Sequence, residues 1–464
     1  MILLLLALVA QAADRSTPPV VPPVAVPAAP VPQVLALSDG TPVWLVERHD
    51  VPLVRIELSL EGGWLGAADP DATRLLGTLV DNGTTAHTAL EWADAAADLG
   101  AEIQVGVGAM RAWADVEAVR GTEEAALSLA REALLSPSLD GAELRRVRRS
   151  WVHSRKNAWR SGATVHDAAV TRAVYPPDHI LGHLARFADY RSLTRGRVVA
   201  AHQWMVAHGR PVLLVVGDTT AEAILPLLEE TWVGLPGRDR WPEVPPPPPA
   251  GPKVVLVDHP GVSLAVITLS LPAPSAFSPE LPAAEVVNQV LGGGFTSRLN
   301  ANLREDKGYT YGIGSSIRTW PGHGRLSVET SVDGGVAGVT LDEIHQEIWR
   351  ITAVPITPEE LAAARNTLLF EGARRLGTLR TVAFDLGILL AYDQAADGVL
   401  ARLQHVDGLD LDAARAEAEA LFGSDDVVWV ITGDRAGLEP VLEASDWIPD
   451  TTWTGRELIL GDRR

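Results

Sequence analysis

Five consecutive prolines, Pro245 to Pro249, constrain this chain more than any other feature. Proline fixes φ and has no backbone N–H, so such a run cannot lie inside a helix or a central strand. The surrounding stretch, Trp241 to Pro252, therefore reads as a semi-rigid linker with folded sequence on either side. The two sides are alike. LVRIELSL at 53–60 returns as LAVITLSL at 264–271, an offset of 271 − 60 = 211. Asp140 ahead of Glu143, and Thr357 ahead of Glu360, each open a long helix with a capping-box pattern, at 357 − 140 = 217. An apolar strand ending in Gly217-Asp218 is matched by one ending in Gly433-Asp434, at 433 − 217 = 216. Three landmarks at nearly one spacing imply two homologous α+β domains, 34–240 and 253–464, joined by the linker at 241–252.

Within the first domain, Val43–Glu47 and Leu53–Leu60 alternate as strands, and 71–81 and 90–99 read as helices. Residues 103–107 and 111–116 form a hairpin around Gly108. The helix from Asp140 to Trp159, with the residue after it, carries Arg145, Arg146, Arg148, Arg149, Arg155, Lys156 and Arg160. Such a run is either a solvated face or a docking surface for an acidic partner. Ahead of the domain, the apolar run 2–10 ends in Ala10-Gln11-Ala12, the small-x-small pattern of a secretory signal over 1–12, though no Lys or Arg precedes it. The run is too short for a membrane span, so the expectation is a periplasmic or secreted protein with no stable span. Residues 13–33, rich in Pro, Ala and Val, read as an extended tether. The net charge of −20 argues against a nucleic-acid partner. The absence of cysteine removes disulfides, thiolate metal sites and cysteine nucleophiles.

The chemistry-bearing stretch is Gly292 to Tyr311, GGGFTSRLNANLREDKGYTY. It reads as a glycine turn, an amphipathic helix with Leu299 and Leu303 on one face, and a glycine leading into a strand. The glycines Gly292, Gly293 and Gly294 suit backbone conformations closed to other residues, or the close approach of another chain. A phosphate loop is excluded because no Gly-Lys-Ser/Thr follows them. Gly-Gly-Gly-Phe-Thr-Ser-Arg-Leu, then Leu-Arg-Glu, then Gly-x-x-Tyr resembles the C-terminal signature of the insulinase and mitochondrial processing peptidase family of zinc peptidases. The resemblance implies two similar halves, each a mostly antiparallel sheet with helices packed on it. It also implies that Arg298 and Tyr311, with Gly292–Gly294 and Phe295 beside them, contact a substrate peptide. Without it, Arg298 is a salt-bridge residue and Tyr311 a core residue.

Active members of that family carry His-x-x-Glu-His on a helix, two zinc ligands on one face with a glutamate to activate water. A Gly-Thr landmark follows that motif, and here it is Gly83-Thr84. Counting back, the motif falls on Arg74-Leu75-Leu76-Gly77-Thr78, where Arg74 and Thr78 replace the histidines and Gly77 the glutamate. From Leu144 to His166, where a third ligand belongs, there is no Asp or Glu. His179 and His183 are four apart, but in a Pro- and Gly-containing segment with no third ligand nearby. No Gly-x-Ser-x-Gly elbow is present. The sequence thus implies no catalytic residue, no metal and no cofactor in this chain, with zinc expected only in a partner. The expected function is the non-catalytic, peptide-binding half of a heterodimer with a zinc-bearing homologue. The alternative is a structural or assembly protein that keeps the fold without a proteolytic role.

Overall fold

The computed structural model describes residues 23–238 and 243–461. The signal over 1–12, the start of the tether, and Trp241 and Pro242 of the linker lie outside the described residues. The first half supplies strands β1 (Gln33–Ala36), β2 (Pro42–Glu47), β3 (Leu53–Glu61), β4 (Glu102–Val107), β5 (Arg111–Val119) and β6 (Pro211–Gly217). They form one sheet in the order β1-β2-β6-β3-β5-β4. The second half supplies β7 (Lys253–Asp258), β8 (Leu264–Ala273), β9 (Thr310–Trp320), β10 (His323–Asp333), β11 (Val428–Gly433) and β12 (Thr451–Thr454). Their order, β12-β7-β11-β8-β10-β9, repeats the first sheet strand for strand, apart from the added edge. β1 lies antiparallel to β2, whereas β12 lies parallel to β7. The LVRIELSL and LAVITLSL words are the central strands β3 and β8, which pair antiparallel with both neighbours. Both halves are α+β, as the repeat requires.

The helix expected over 71–81 ends early, as Pro70–Gly77. Its last backbone groups are closed by Thr78 N–H to Leu75 O and by Asn82 Nδ2 to Thr78 O at 2.8 Å. The basic helix runs Gly141–Asn157 with Asp140 as its cap. Two of its cations turn inward: Arg148 donates to Leu193 O at 2.7 Å, and burial lowers the pKa of Arg155. The remaining four, and Arg160 just beyond the helix, face solvent. Among the described residues no helix is long and apolar enough to cross a membrane.

A sheet buried on both faces needs two apolar layers, and here the second layer is exchanged. Each sheet packs its own helices on one face, forming one core per half. The other face of the first sheet, Trp44, Val46, Val212, Leu214 and Val216, is covered by Leu379, Val382, Ala383, Leu386 and Leu390 from the second half. Reciprocally, Val255, Val257, Val428 and Val430 are covered by Val165, Ala168, Ala169 and Ala173 from the first half. The two covering helices, Gly162–Val174 and Leu379–Ala391, begin 379 − 162 = 217 residues apart and are repeat partners. The linker is not a free spacer. Val244 is 2% exposed and donates to Pro321 O at 2.8 Å, and Ala250 N–H reaches Asp426 Oδ1 at 2.7 Å. The described part of the tether is extended but packed: Val24, Val26 and Ala29 lie on the second core, and Val24 N–H donates to Asn366 Oδ1 at 3.0 Å.

The exchanged helix Gly162–Val174 also buries His166, 5% exposed, whose two ring nitrogens are hydrogen-bonded to Thr432 Oγ1 at 2.8 Å and Thr268 Oγ1 at 2.7 Å. Burial pushes its pKa down to about 4, and His323 is pushed to about 4 by burial and by nearby Arg325.

Cutting the linker between Glu243 and Gly251 should leave two fragments that elute as one species, because each holds the other's helix. Expressed alone, residues 253–464 should aggregate, since the outer face of their sheet is left bare; a folded monomer by size exclusion would contradict the exchange. Leu386→Ala, at a site 1% exposed, should cost about 2–5 kcal/mol in denaturant unfolding.

The imidazoles of His166 and His323 have folded pKa values below the unfolded one. Their contribution is complete above about pH 6.5 and is lost as pH falls toward 4. Asp115 runs the other way, raised to about 6 by burial against the pull of Arg55, so its cost grows as pH rises from about 4 to 6. Two histidines outweigh one aspartate, and the urea midpoint should fall between pH 6.5 and 4. His166→Asn should flatten that slope.

Candidate functional site

The Gly292–Tyr311 block is built from two wide, π-helical turns, Gln289–Gly293 and Asn300–Asp306, a rare geometry that is frequent at functional sites. None of Gly292, Gly293 and Gly294 has a positive φ, so the glycines serve packing and not a forbidden backbone conformation. A Cβ on Gly292 would lie 2.5 Å from Ser315 Oγ and 2.8 Å from Leu299 Cδ1. On Gly293 and Gly294 it would lie 2.6 and 2.8 Å from the Gln289 amide. Leu299 and Leu303 are buried as the spacing predicts. Two asparagines that the sequence did not single out, Asn288 and Asn300, fasten the turns to the sheet edge. Asn300 Nδ2 donates to Ile313 O at 2.7 Å and Asn288 Nδ2 to Ser315 O at 3.3 Å. The start of β9 is thereby held against the block.

The two arginines of the block have different fates. Arg298 is 14% exposed and forks onto Glu360, Nε to Oε1 at 2.7 Å and Nη2 to Oε2 at 2.8 Å, with Val354 O and Pro355 O as further acceptors. Its guanidinium holds the Glu360 carboxyl below the usual range, and Glu360 in turn accepts from Thr357 N–H at the head of the helix Pro358–Arg375. Arg298 is therefore a structural clasp, and the substrate contact expected of it does not fit its surroundings. Tyr311 is 92% exposed, which removes the core reading. The guanidinium facing Tyr311 belongs to Arg304, 5.4 Å from that ring's centroid and 4.3 Å from the ring of Phe295, itself 67% exposed. Arg304's ion pair is with its neighbour Glu305 at 3.4 Å, an exposed contact worth little in water. Phe295, Arg304 and Tyr311 thus form a stack in which a half-buried cation, its side chain 26% exposed, lies against two exposed aromatic rings. Each cation–π contact at such a site is worth about 0.5–1 kcal/mol, enough to orient the guanidinium and too little to withhold it from a carboxylate or carbonyl.

At the degenerate position, Arg74 lies 3.9 Å above the Trp64 ring and pairs with Asp71 at 3.3 Å. Asp71 also meets His183 Nε2 at 3.2 Å. Thr78 is an exposed helix cap. Gly77 sits against β4, where a Cβ would lie 2.6 Å from Val107 O, so no side chain fits there without a shift. His179 points elsewhere, to Pro245 O at 2.8 Å, and stacks on Tyr175. Among the described residues no group of three or more His, Cys, Asp or Glu could hold a metal ion. The residues present do not fit a zinc centre.

A family profile described as the peptidase M16 inactive domain matches residues 192–368, a segment that spans the linker and the Arg304–Tyr311 block. A search of the curated proteins gives no match. Among solved structures, a peptidase M16 inactive domain from Pseudomonas fluorescens superposes with a TM-score of 0.80 at 19% identity, covering 87% of this chain and 98% of that one. A protease from Helicobacter pylori gives 0.77 at 17%, covering 87% and 99%. The periplasmic protease PqqL from Escherichia coli gives 0.77 at 13%, covering 89% of this chain and 47% of that one, so this chain spans about half its length. The fold is that of the M16, or insulinase-type, peptidases, and the match at the block is to their inactive domain.

Restoring the motif should not restore a metal site. The triple change Arg74→His, Gly77→Glu, Thr78→His should lower the unfolding midpoint and bind no stoichiometric zinc, as read by thermal melts and atomic absorption. Zinc bound one to one by that variant would show that the position is merely unoccupied by ligands and not closed by packing.

Proposed function

We propose that this chain, whose fold is that of an insulinase-type peptidase with its catalytic positions replaced, is the zinc-free, peptide-binding subunit of a two-subunit peptidase. A separate zinc-bearing homologue would supply the chemistry. The observation that carries the reading is the Phe295–Arg304–Tyr311 stack, retained on a chain whose Arg74–Thr78 segment has no ligand. A fold kept only for scaffolding has no use for a guanidinium left available between two solvent-exposed rings. The stack offers a planar donor pair to a carboxylate or to backbone carbonyls, with a phenol hydroxyl beside it. The apolar run at the start of the sequence and the periplasmic PqqL neighbour both support a periplasmic location.

In a complex reconstituted with the zinc-bearing partner, Arg304→Ala and Tyr311→Ala should each leave assembly and zinc content unchanged while peptide turnover falls. A hydrogen bond to a charged group contributes about 1.5–3 kcal/mol, so the drop should be roughly ten- to a hundred-fold. Arg298→Ala should instead lower thermal stability, because Glu360 loses its fork. Unchanged turnover in both Arg304 and Tyr311 variants would remove the peptide clamp and leave the assembly role as the better account.

A further inference from the structure

Between the halves lies a cavity of about 560 Å³, within the range of small-ligand pockets. Its floor is the exchanged face of β3 and β5, its wall the helix Leu379–Ala391, and its roof the β9–β10 tip at Thr319–Pro321. The apolar lining is Trp113, Phe277, Trp320, Phe384, Ile388 and Tyr392, and Phe384 is left 49% exposed. Every charge on the lining is already paired within the protein. Arg55 pairs with Asp115 and with Glu117 at 3.0 Å, Arg111 with Glu57, Arg380 with Glu102 at 2.9 Å, and Arg210 with Glu61 at 2.6 Å. The floor still keeps Arg55 Nε and Asp115 Oδ1 without a hydrogen-bond partner, while a neutral apolar group against the aromatic walls leaves every ion pair intact.

The repeat shows that the opening is not forced by the fold. Arg325 occupies in the second half the place of Arg111, 325 − 111 = 214, and bonds Ser270 at 3.1 Å as Arg111 bonds Ser59 at 2.5 Å. Tyr175 and Tyr392, 392 − 175 = 217, each cap an exchanged helix. In the second half that place is closed: Tyr175 is hydrogen-bonded to His323 at 3.0 Å, and Trp320 stacks on His323. In the first half Tyr392 leans on Phe277, ring centroids 5.2 Å apart, and the space beside them stays open.

We infer that this cavity is a specificity pocket for a large neutral side chain, aromatic or branched aliphatic, of the peptide whose other part is held at Arg304 and Tyr311. The inference rests on the peptide-binding reading above. Tyr311 and Trp320 lie on one strand, 320 − 311 = 9 residues apart, which is about 30 Å. A peptide that touches both needs at least about eight extended residues between the two contacting ones.

The test uses the full chain and fluorescein-labelled peptides of about fourteen residues, each with one Phe moved along an otherwise Ala-, Ser- and Gln-based sequence. Affinity is read by anisotropy. One Phe position should bind at least about ten-fold more tightly than Ala at the same place. Ile388→Trp, which fills the cavity, and Phe384→Ala, at a half-exposed wall residue, should both erase that preference without weakening the all-Ala peptide. Arg304→Ala should weaken all peptides alike and keep the preference. Peptides that bind with no positional preference, or a preference that survives Ile388→Trp, would overturn the pocket while leaving the peptide-binding reading intact. If no peptide binds the wild-type chain, the peptide-binding reading falls and the pocket assignment falls with it.

Discussion

Everything in this protein depends on one reciprocal burial: each sheet has its second face covered by a helix from the other half. The apolar row Trp44, Val46, Val212, Leu214 and Val216 would face water without the helix Leu379–Ala391, and the row Val255, Val257, Val428 and Val430 without the helix Gly162–Val174. Burying a side chain of this kind stabilises by about 1.5–3 kcal/mol, so each face amounts to a sizeable share of a domain's stability. The halves are therefore topologically separable at the linker and energetically inseparable. The buried His166, held between Thr268 and Thr432 of the second sheet, sits on this shared interface.

The same exchange fixes the surfaces available for function. It sets the β9–β10 tip beside the first sheet and encloses the cavity lined by Trp113 and Phe384. At the far end of β9, the π-helical turns and their asparagines hold the strand in place, while the glycines let the turns approach Ser315 and Leu299 closely. One arginine of the block is spent on the clasp with Glu360, and the other is left between Phe295 and Tyr311. The clasp anchors the platform and the stack presents the cation.

The Arg74–Thr78 segment differs from a zinc motif in its packing as well as in its residue types. Arg74 is stacked on Trp64, and Gly77 packs so closely against β4 that a Cβ would lie 2.6 Å from Val107 O. A position that has lost only its ligand could regain it by point substitution. A position whose space has been taken up by the backbone of Val107 cannot do so without moving a strand.

The sequence by itself determined the α+β class, the internal repeat, the family resemblance and the absence of ligands at Arg74–Thr78. All of these are written in residue identity and local spacing, in alternation with period two, caps three residues apart, and words of eight residues. The tertiary structure alone decided which arginine is clasped, because the answer depends on Glu360, 62 residues away in the chain. It alone decided that Tyr311 is exposed, since a tyrosine at a strand's start is compatible with either face. It alone decided that the helices are exchanged. An apolar helix carries the same pattern whichever sheet it covers, for hydrophobic burial is non-directional and records how much surface is hidden, not what hides it.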